Sequence, residues 1–320
     1  MPQSVFLTGA TGFVGGAVMR RLVADGFIVK AALRNIDDRV EEGVQAVRFC
    51  TFETTDWSGC FVGVDSVVHC AARVHVMNDK EIDPLAAFRK VNVEGTLRLA
   101  RQAAEAGVRR FVFISSIKVN GEGTKLGRPY TADDCPQPCD PYGISKMEAE
   151  QGLRELASRT SMDVVIIRPV LVYGPGVKAN FLNMMRWLDK GVPLPFGAIH
   201  NARSLVALDN LVDLIITSLV HPGAANQIFL VSDGEDLSTT QLLRRMAIAL
   251  SKSARLLPVP SWTLIAAANI MGKRSLSQRL CGSLAVDIGK TRSLLQWAPP
   301  VSVDRALEAA AKHYMEYEKK

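Results

Sequence analysis

A chain of 320 residues, 48% hydrophobic and 22% charged, is long enough to bury a large core and too apolar to stay disordered. Its 38 basic and 32 acidic residues give a net charge of +6, spread along the chain without a basic block. That balance argues against a nucleic-acid reader and accommodates an anionic small molecule. No apolar run reaches the ~18 residues of a membrane span, and no signal peptide precedes the first strand. The six cysteines read as reduced thiols, and the whole as a cytoplasmic protein.

The first element is the apolar run "SVFLT", which gives way to "GATGFVGG" and a helical pattern over 14–24. Gly9, Gly12 and Gly15 stand where a strand ends and a helix begins, with Thr11, Phe13 and Val14 on the same turn. Such a turn lets the backbone approach a pyrophosphate, whose charge meets the open N–H groups of the new helix. The bland alternative is a glycine turn that serves packing alone. Strand, turn and helix in that order, opening a βαβ pattern, favour a dinucleotide.

The next strand, "IVKAAL", ends at Arg34 and Asn35, where an NAD-binding chain offers a carboxylate to the adenosine ribose. An arginine there suits a 2′-phosphate, so NADP(H) is favoured. Asp37 and Asp38 follow closely and keep NAD(H) open.

Further along come "AVRFC", "DSVVHCAA", a helical pattern over 85–106, "RRFVFISS", a second over 142–159, and "DVVIIRPVLVYG". Most of these strands lack polar alternation and read as buried on both faces. Strands alternating with helices predict an α/β fold, a Rossmann-like doubly wound parallel sheet. After Gly174 helical stretches dominate, at 180–190, 209–220, 238–251 and 302–318, with short strands near 204–207 and 227–231. The expected organisation is a nucleotide-binding domain over 1–174 and a smaller mixed α/β substrate lobe over 175–320, with the chain crossing back between them. "WTLIAAANIMG" at 262–272 reads as a short packed helix, with a membrane-surface contact as its other reading. "CPQPC" at 135–139 lacks a second Cys/His pair, so no metal site is expected.

"DPYGISKMEAE" carries the chemistry. Asp140 is a candidate N-cap and Pro141 suits the first helical position. Tyr142 and Lys146 then lie one turn apart on one helix face. A phenol with pKa about 10 is a poor acid/base at neutral pH, and a nearby ammonium lowers it. Ser116, closing the strand "FVFISS", is placed to hold a substrate oxygen for Tyr142. Taken alone, two serines closing a strand would mean little.

With "TGATGFVG", "HCAA", "NVEGT", "SSIKVNG", "YGISK" and "RPVLVYGPG" in order, the chain resembles the extended short-chain dehydrogenase/reductases. That family includes nucleotide-sugar epimerases, 4,6-dehydratases and 4-ketoreductases. The resemblance implies that Tyr142 is the acid/base, that Lys146 tunes it and binds the nicotinamide ribose, and that Ser116 orients the substrate oxygen. It further implies that Ala71 and Ala72 pass under the cofactor, that Asn92 lies near the site, and that Asn180 and Arg203 meet the uridine diphosphate. Plainer readings are a helix polar contact for Asn92 and a solvated edge arginine for Arg203. A homodimer is the family habit.

Three departures matter. Ile117 and Lys118 stand where 4,6-dehydratases carry an Asp-Glu pair, which argues against water elimination. Asn120 replaces the tyrosine of the common "VYG" and loosens the likeness to ordinary 4-epimerases. Thr51 stands near where an acidic residue often meets adenine. The first expectation is therefore NAD(P)H-dependent reduction of a UDP-linked, N-acetylated 6-deoxy-hexos-4-ulose in O-antigen-type polysaccharide synthesis, most like the UDP-N-acetyl-quinovosamine-type 4-reductases. A UDP-hexose 4-epimerase is the alternative. A steroid- or flavonoid-type reductase ranks lower, as does a non-catalytic dinucleotide sensor, since the Tyr/Lys pair is intact.

Overall fold

The computed structural model describes residues 3–35, 41–74, 83–272 and 274–318. Asp37 and Asp38 lie outside them. The elements run β1 (Ser4–Thr8), α1 (Phe13–Ala24), β2 (Ile28–Leu33), β3 (Gln45–Arg48), β4 (Ser66–His69), α2 (Pro84–Arg89), α3 (Thr96–Glu105), β5 (Arg110–Ile114), α4 (Pro141–Arg159) and β6 (Asp163–Pro169). There follow β7 (Leu171–Tyr173), α5 (Ala179–Asp189), β8 (Arg203–Ala207), α6 (Leu208–Val220), β9 (Ile228–Val231), β10 (Asp236–Leu237) and α7 (Thr239–Ala249). The chain closes with α8 (Ser261–Ile270), α9 (Arg274–Cys281), α10 (Gly289–Leu295) and α11 (Val303–His313).

Seven parallel strands form the main sheet in the order β3-β2-β1-β4-β5-β6-β9. Alternate side chains leave the sheet on opposite faces. Val5 and Leu7 pack with Val18, Leu22, Leu211 and Ile215 from α1 and α6. Phe6 points the other way, into Leu99, Ala103, Ala149 and Leu153 from α3 and α4. Both faces are therefore buried, which explains why these strands lack polar alternation. Strand order reverses between β1 and β4, and the crevice at their carboxyl ends is where open α/β sheets bind ligands.

Read as one strand, "DVVIIRPVLVYG" is two. β6 pairs in the main sheet as far as Pro169, and β7 leaves it to pair with β8 in a three-stranded sheet, β10-β8-β7. Proline has no N–H to carry a central ladder further. The small sheet packs with α5, α7 and α11 around Tyr173, Leu205, Leu243 and Leu307. From this second half, β9 and α6 return to the main sheet.

Candidate active site

Gly9 has φ +73°, and a Cβ there would lie 2.8 Å from the Ala71 backbone nitrogen, so only glycine fits this turn beside the exit of β4. At Gly15 a Cβ would come within 2.1 Å of the Gly9 carbonyl oxygen, which is how closely α1 packs on the turn. Gly12 is the N-cap of α1 and donates from its N–H to the Gly9 carbonyl, 2.9 Å; no side chain caps that end and no acid sits in its first turn. A cavity of about 440 Å³ opens in front, lined by Gly9, Thr11, Leu33, Arg34, Phe52 and Ala71 among others. Close backbone, open helix end and an aromatic wall fit a dinucleotide. Phe13 and Val14 begin α1, and Ala72 follows Ala71 on the β4 loop.

Asp140 caps α4 as expected, its Oδ1 accepting from the Gly143 N–H at 2.6 Å, with Pro141 at the first helical position. Tyr142, in the first turn of α4, packs its ring against Phe88 at 6.0 Å and lies near the Ser116 hydroxyl. Burial pushes the phenol up to about 12; the Asp140 charge adds to this and the Ser116 hydroxyl opposes it. The Lys118 ammonium pairs with Asp140 and, at 3.0 Å, with Glu122.

Lys146 is buried against β5. Its Nζ donates to the Ile114 carbonyl at 2.8 Å and sits 4.3 Å from the centre of the Phe113 ring. Burial lowers its pKa to about 8, against the Glu150 charge. Spacing puts Lys146 and Tyr142 on one face of α4, yet the ammonium finds its partners on β5.

A second cavity, of about 450 Å³, lies between the 121–139 loop and the end of α9, lined by Glu122, Tyr130, Gln137, Gln278, Gly282 and Ser283 among others. Arg203 reaches its rim, Nη1 donating to the Gly282 carbonyl at 3.1 Å. Burial and the nearby Arg279 lower its pKa. Asn180 is exposed in the first turn of α5 and does not line this cavity.

The model of the NAD dependent epimerase/dehydratase family matches residues 5–232. The chain belongs to that family. It is 50% identical over 99% of its length to a UDP-glucose 4-epimerase of Vibrio cholerae, of which the match covers 97%. An N-acetyl-α-D-glucosaminyl-diphospho-ditrans,octacis-undecaprenol 4-epimerase of Escherichia coli O157:H7 is 28% identical over 81% of this chain and 76% of that protein. The UDP-glucuronic acid 4-epimerase of Bacillus cereus, solved with NAD, shares the fold with a TM-score of 0.78 at 20% identity, over 98% of this chain and 99% of that one. The expected family is thus confirmed. The narrower likeness to 4-reductases is not, and the preference for NADP(H) finds no support in an NAD dependent family or in the Bacillus cereus structure solved with NAD.

In this epimerase/dehydratase-family site a supporting layer holds the loops in place, and only Asn92 of it is expected from the sequence. Asn92 lies in a π-helical turn, Lys90–Gly95, between α2 and α3, a type of distortion that favours functional sites. Its Oδ1 accepts from the Arg73 N–H at 2.8 Å, and its Nδ2 donates to the Arg73 carbonyl and Ser145 Oγ, both at 3.0 Å. It positions the β4 loop against α4. Beneath Ser116 lies a buried network. Ser115 Oγ donates to Glu150, which takes a forked pair of hydrogen bonds from Arg168, and Arg168 Nη1 donates to Asn120 Oδ1 at 2.9 Å. Asn120, a departure by sequence, completes this network by donating to the Thr131 carbonyl at 2.9 Å.

Lys146 has a stability consequence. Its folded pKa of about 8 lies below the ordinary 10.5, so the unfolded chain holds the proton more tightly. The folded state gains on the unfolded one as pH climbs through that interval, and carries the penalty of a buried charge below it. Lys146→Met is expected to melt several degrees above wild type near neutral pH, with the gap closing toward pH 10.5. Calorimetry at both ends checks this; a variant melting below wild type near neutrality refutes the penalty.

Proposed function

We propose that the protein is an NAD-dependent UDP-hexose 4-epimerase. The 50% identity over 99% of the chain to the Vibrio cholerae UDP-glucose 4-epimerase carries the reading, and Tyr142 beside Ser116 supplies chemistry that suits it. Bound NAD supplies a hydride acceptor that can return what it takes. Ser116 holds the C4 oxygen, and Tyr142 Oη takes the hydroxyl proton and later gives it back. Lys146 reaches the cofactor side of α4 and supplies positive charge there. At the position where dehydratases carry acid and base stand Ile117 and Lys118, the latter occupied with Asp140 and Glu122.

A 4-ketoreductase uses the same residues and differs in stoichiometry. Purified protein with UDP-glucose or UDP-N-acetylglucosamine is expected to yield the 4-epimer with no net consumption of nicotinamide. If no epimer forms, and a UDP-4-keto-6-deoxy-hexosamine instead oxidises one reduced nicotinamide per product, the reductase reading replaces this one.

Arg34 tests the cofactor. At the end of β2 it lines the dinucleotide cavity, where its guanidinium would meet a 2′-phosphate but only a neutral ribose in NAD. Arg34→Ala should leave NAD affinity within about twofold. A wild type that binds NADP(H) more tightly, and loses that in the variant, reverses the assignment.

Arg203 reaches the second cavity's rim through Gly282 with Arg279 nearby, and a diphosphate beside them would relieve their repulsion. A charge-assisted contact contributes about 1.5–3 kcal/mol, so Arg203→Ala should raise KM for the UDP-sugar roughly tenfold or more. Because the diphosphate binds alike in ground and transition states, kcat should change less. UDP should raise the melting temperature of wild type more than of the variant. If UDP neither binds nor inhibits, the sugar-nucleotide substrate is wrong.

A further inference from the structure

The segment at 262–272, expected to be a short packed helix with a membrane-surface contact as its other reading, is a helix whose larger apolar side chains are exposed. In α8, Trp262, Ile265, Ala266, Asn269 and Ile270 fall at i, i+3, i+4, i+7 and i+8, one continuous stripe, and all five are exposed. Trp262 is 70% exposed, Ile270 87% and Met271, just beyond the helix, 62%. The inward side of the same helix presents the smaller Ser261 and Ala268 with half-buried Leu264. The helix is apolar on both sides, and its larger apolar side chains face out. Contiguous patches of this kind mark interaction surfaces.

Charge identifies what covers it. Between Asp236 and Asp287 the sequence carries seven basic residues and no acidic one. Arg245 and Lys252 pair with acids of other segments, Glu235 and Asp189. Arg255 precedes α8, Lys273 and Arg274 directly follow it, and Arg279 lies on α9; Arg255 and Arg279 are exposed. A second copy docking through this face about a two-fold axis would set these charges against themselves. An anionic surface with an apolar interior complements both features, with cations at the headgroups and tryptophan at the boundary.

We propose that α8 and its basic flanks dock this protein in the plane of an anionic lipid bilayer. At ten residues the helix is about 15 Å long, suited to lie in the interface and too short to cross it. α9 leads from it to Gly282, whose carbonyl holds Arg203, so the docked face is continuous with the rim of the substrate cavity.

Full-length protein is sedimented with vesicles of phosphatidylcholine alone or mixed with phosphatidylglycerol. Binding is expected to the mixed vesicles and to fall with added salt. Trp262→Ser/Ile270→Ser should lower the partition coefficient at least about tenfold, and Arg255→Glu should weaken the preference for the anionic lipid. These side chains lie outside the catalytic and binding groups, so every variant should keep wild-type melting and turnover in solution. Equal partition into both vesicles, or none into either, overturns the proposal. So does a dimer in solution that Trp262→Ser/Ile270→Ser dissociates, since a second copy would then cover the face.

Discussion

Replacing Tyr142 with Phe is expected to cut turnover by about a thousandfold or more while leaving NAD affinity within about twofold, because the variant lacks only the proton-carrying oxygen. The ring keeps its contact with Phe88 and its place in the first turn of α4, so the fold should not register the change. Burial holds the phenol up at about 12, well above neutrality, while the nearby Ser116 hydroxyl acts the other way and favours the phenolate. Ser116→Ala should therefore raise the Tyr142 pKa further and lose activity too, but less, with the rise of its pH–rate profile displaced to higher pH. Stopped-time assays of epimer formation and calorimetric NAD titration check both variants. Activity of Tyr142→Phe within tenfold of wild type would remove the phenol from the reaction.

Much of this site could be read in advance because its logic is local. The glycine turn, the Asp140-Pro141 cap and the Tyr142 spacing each depend on a few neighbouring residues, and the structure places them as the spacing demands. What the sequence did not show depended on partners far along the chain. Asn120 stands out there only as a departure from the common motif, and its partner, Arg168, is 48 positions away. Lys146 shares a helix face with Tyr142, but a buried ammonium goes to whichever carbonyl and aromatic face the sheet offers, here Ile114 and Phe113. The strand over 163–174 splits because Pro169 ends one ladder while Val172 and Tyr173 find another in β8. Hydrophobic period alone also fails to say whether anything lies opposite the apolar stripe of α8.

The Glu150–Arg168 pair should show the largest stability effect. Their side chains are 4% and 2% exposed, and the fork joins α4 to β6, with Ser115 and Asn120 bound at its two ends. Removing one charge strands the other in a medium that cannot solvate it, at a cost of about 3–5 kcal/mol. Glu150→Leu is thus expected to lower the melting temperature by roughly 6–10 °C. Glu150→Leu/Arg168→Met removes both charges and should recover at least half of that loss, since an apolar pair of similar volume carries no desolvation penalty. A second readout separates support of the site from support of the fold. The Glu150 charge helps Lys146, one turn earlier on α4, keep its proton. Without it the Lys146 pKa should fall below about 8, moving the pH–rate profile of Glu150→Leu toward acid. Arg168→Met leaves that carboxylate in place and should move the profile the other way or not at all. If the double-mutant cycle shows coupling below about 0.5 kcal/mol, or both single variants keep the wild-type profile, the network neither acts as a unit nor reaches Lys146.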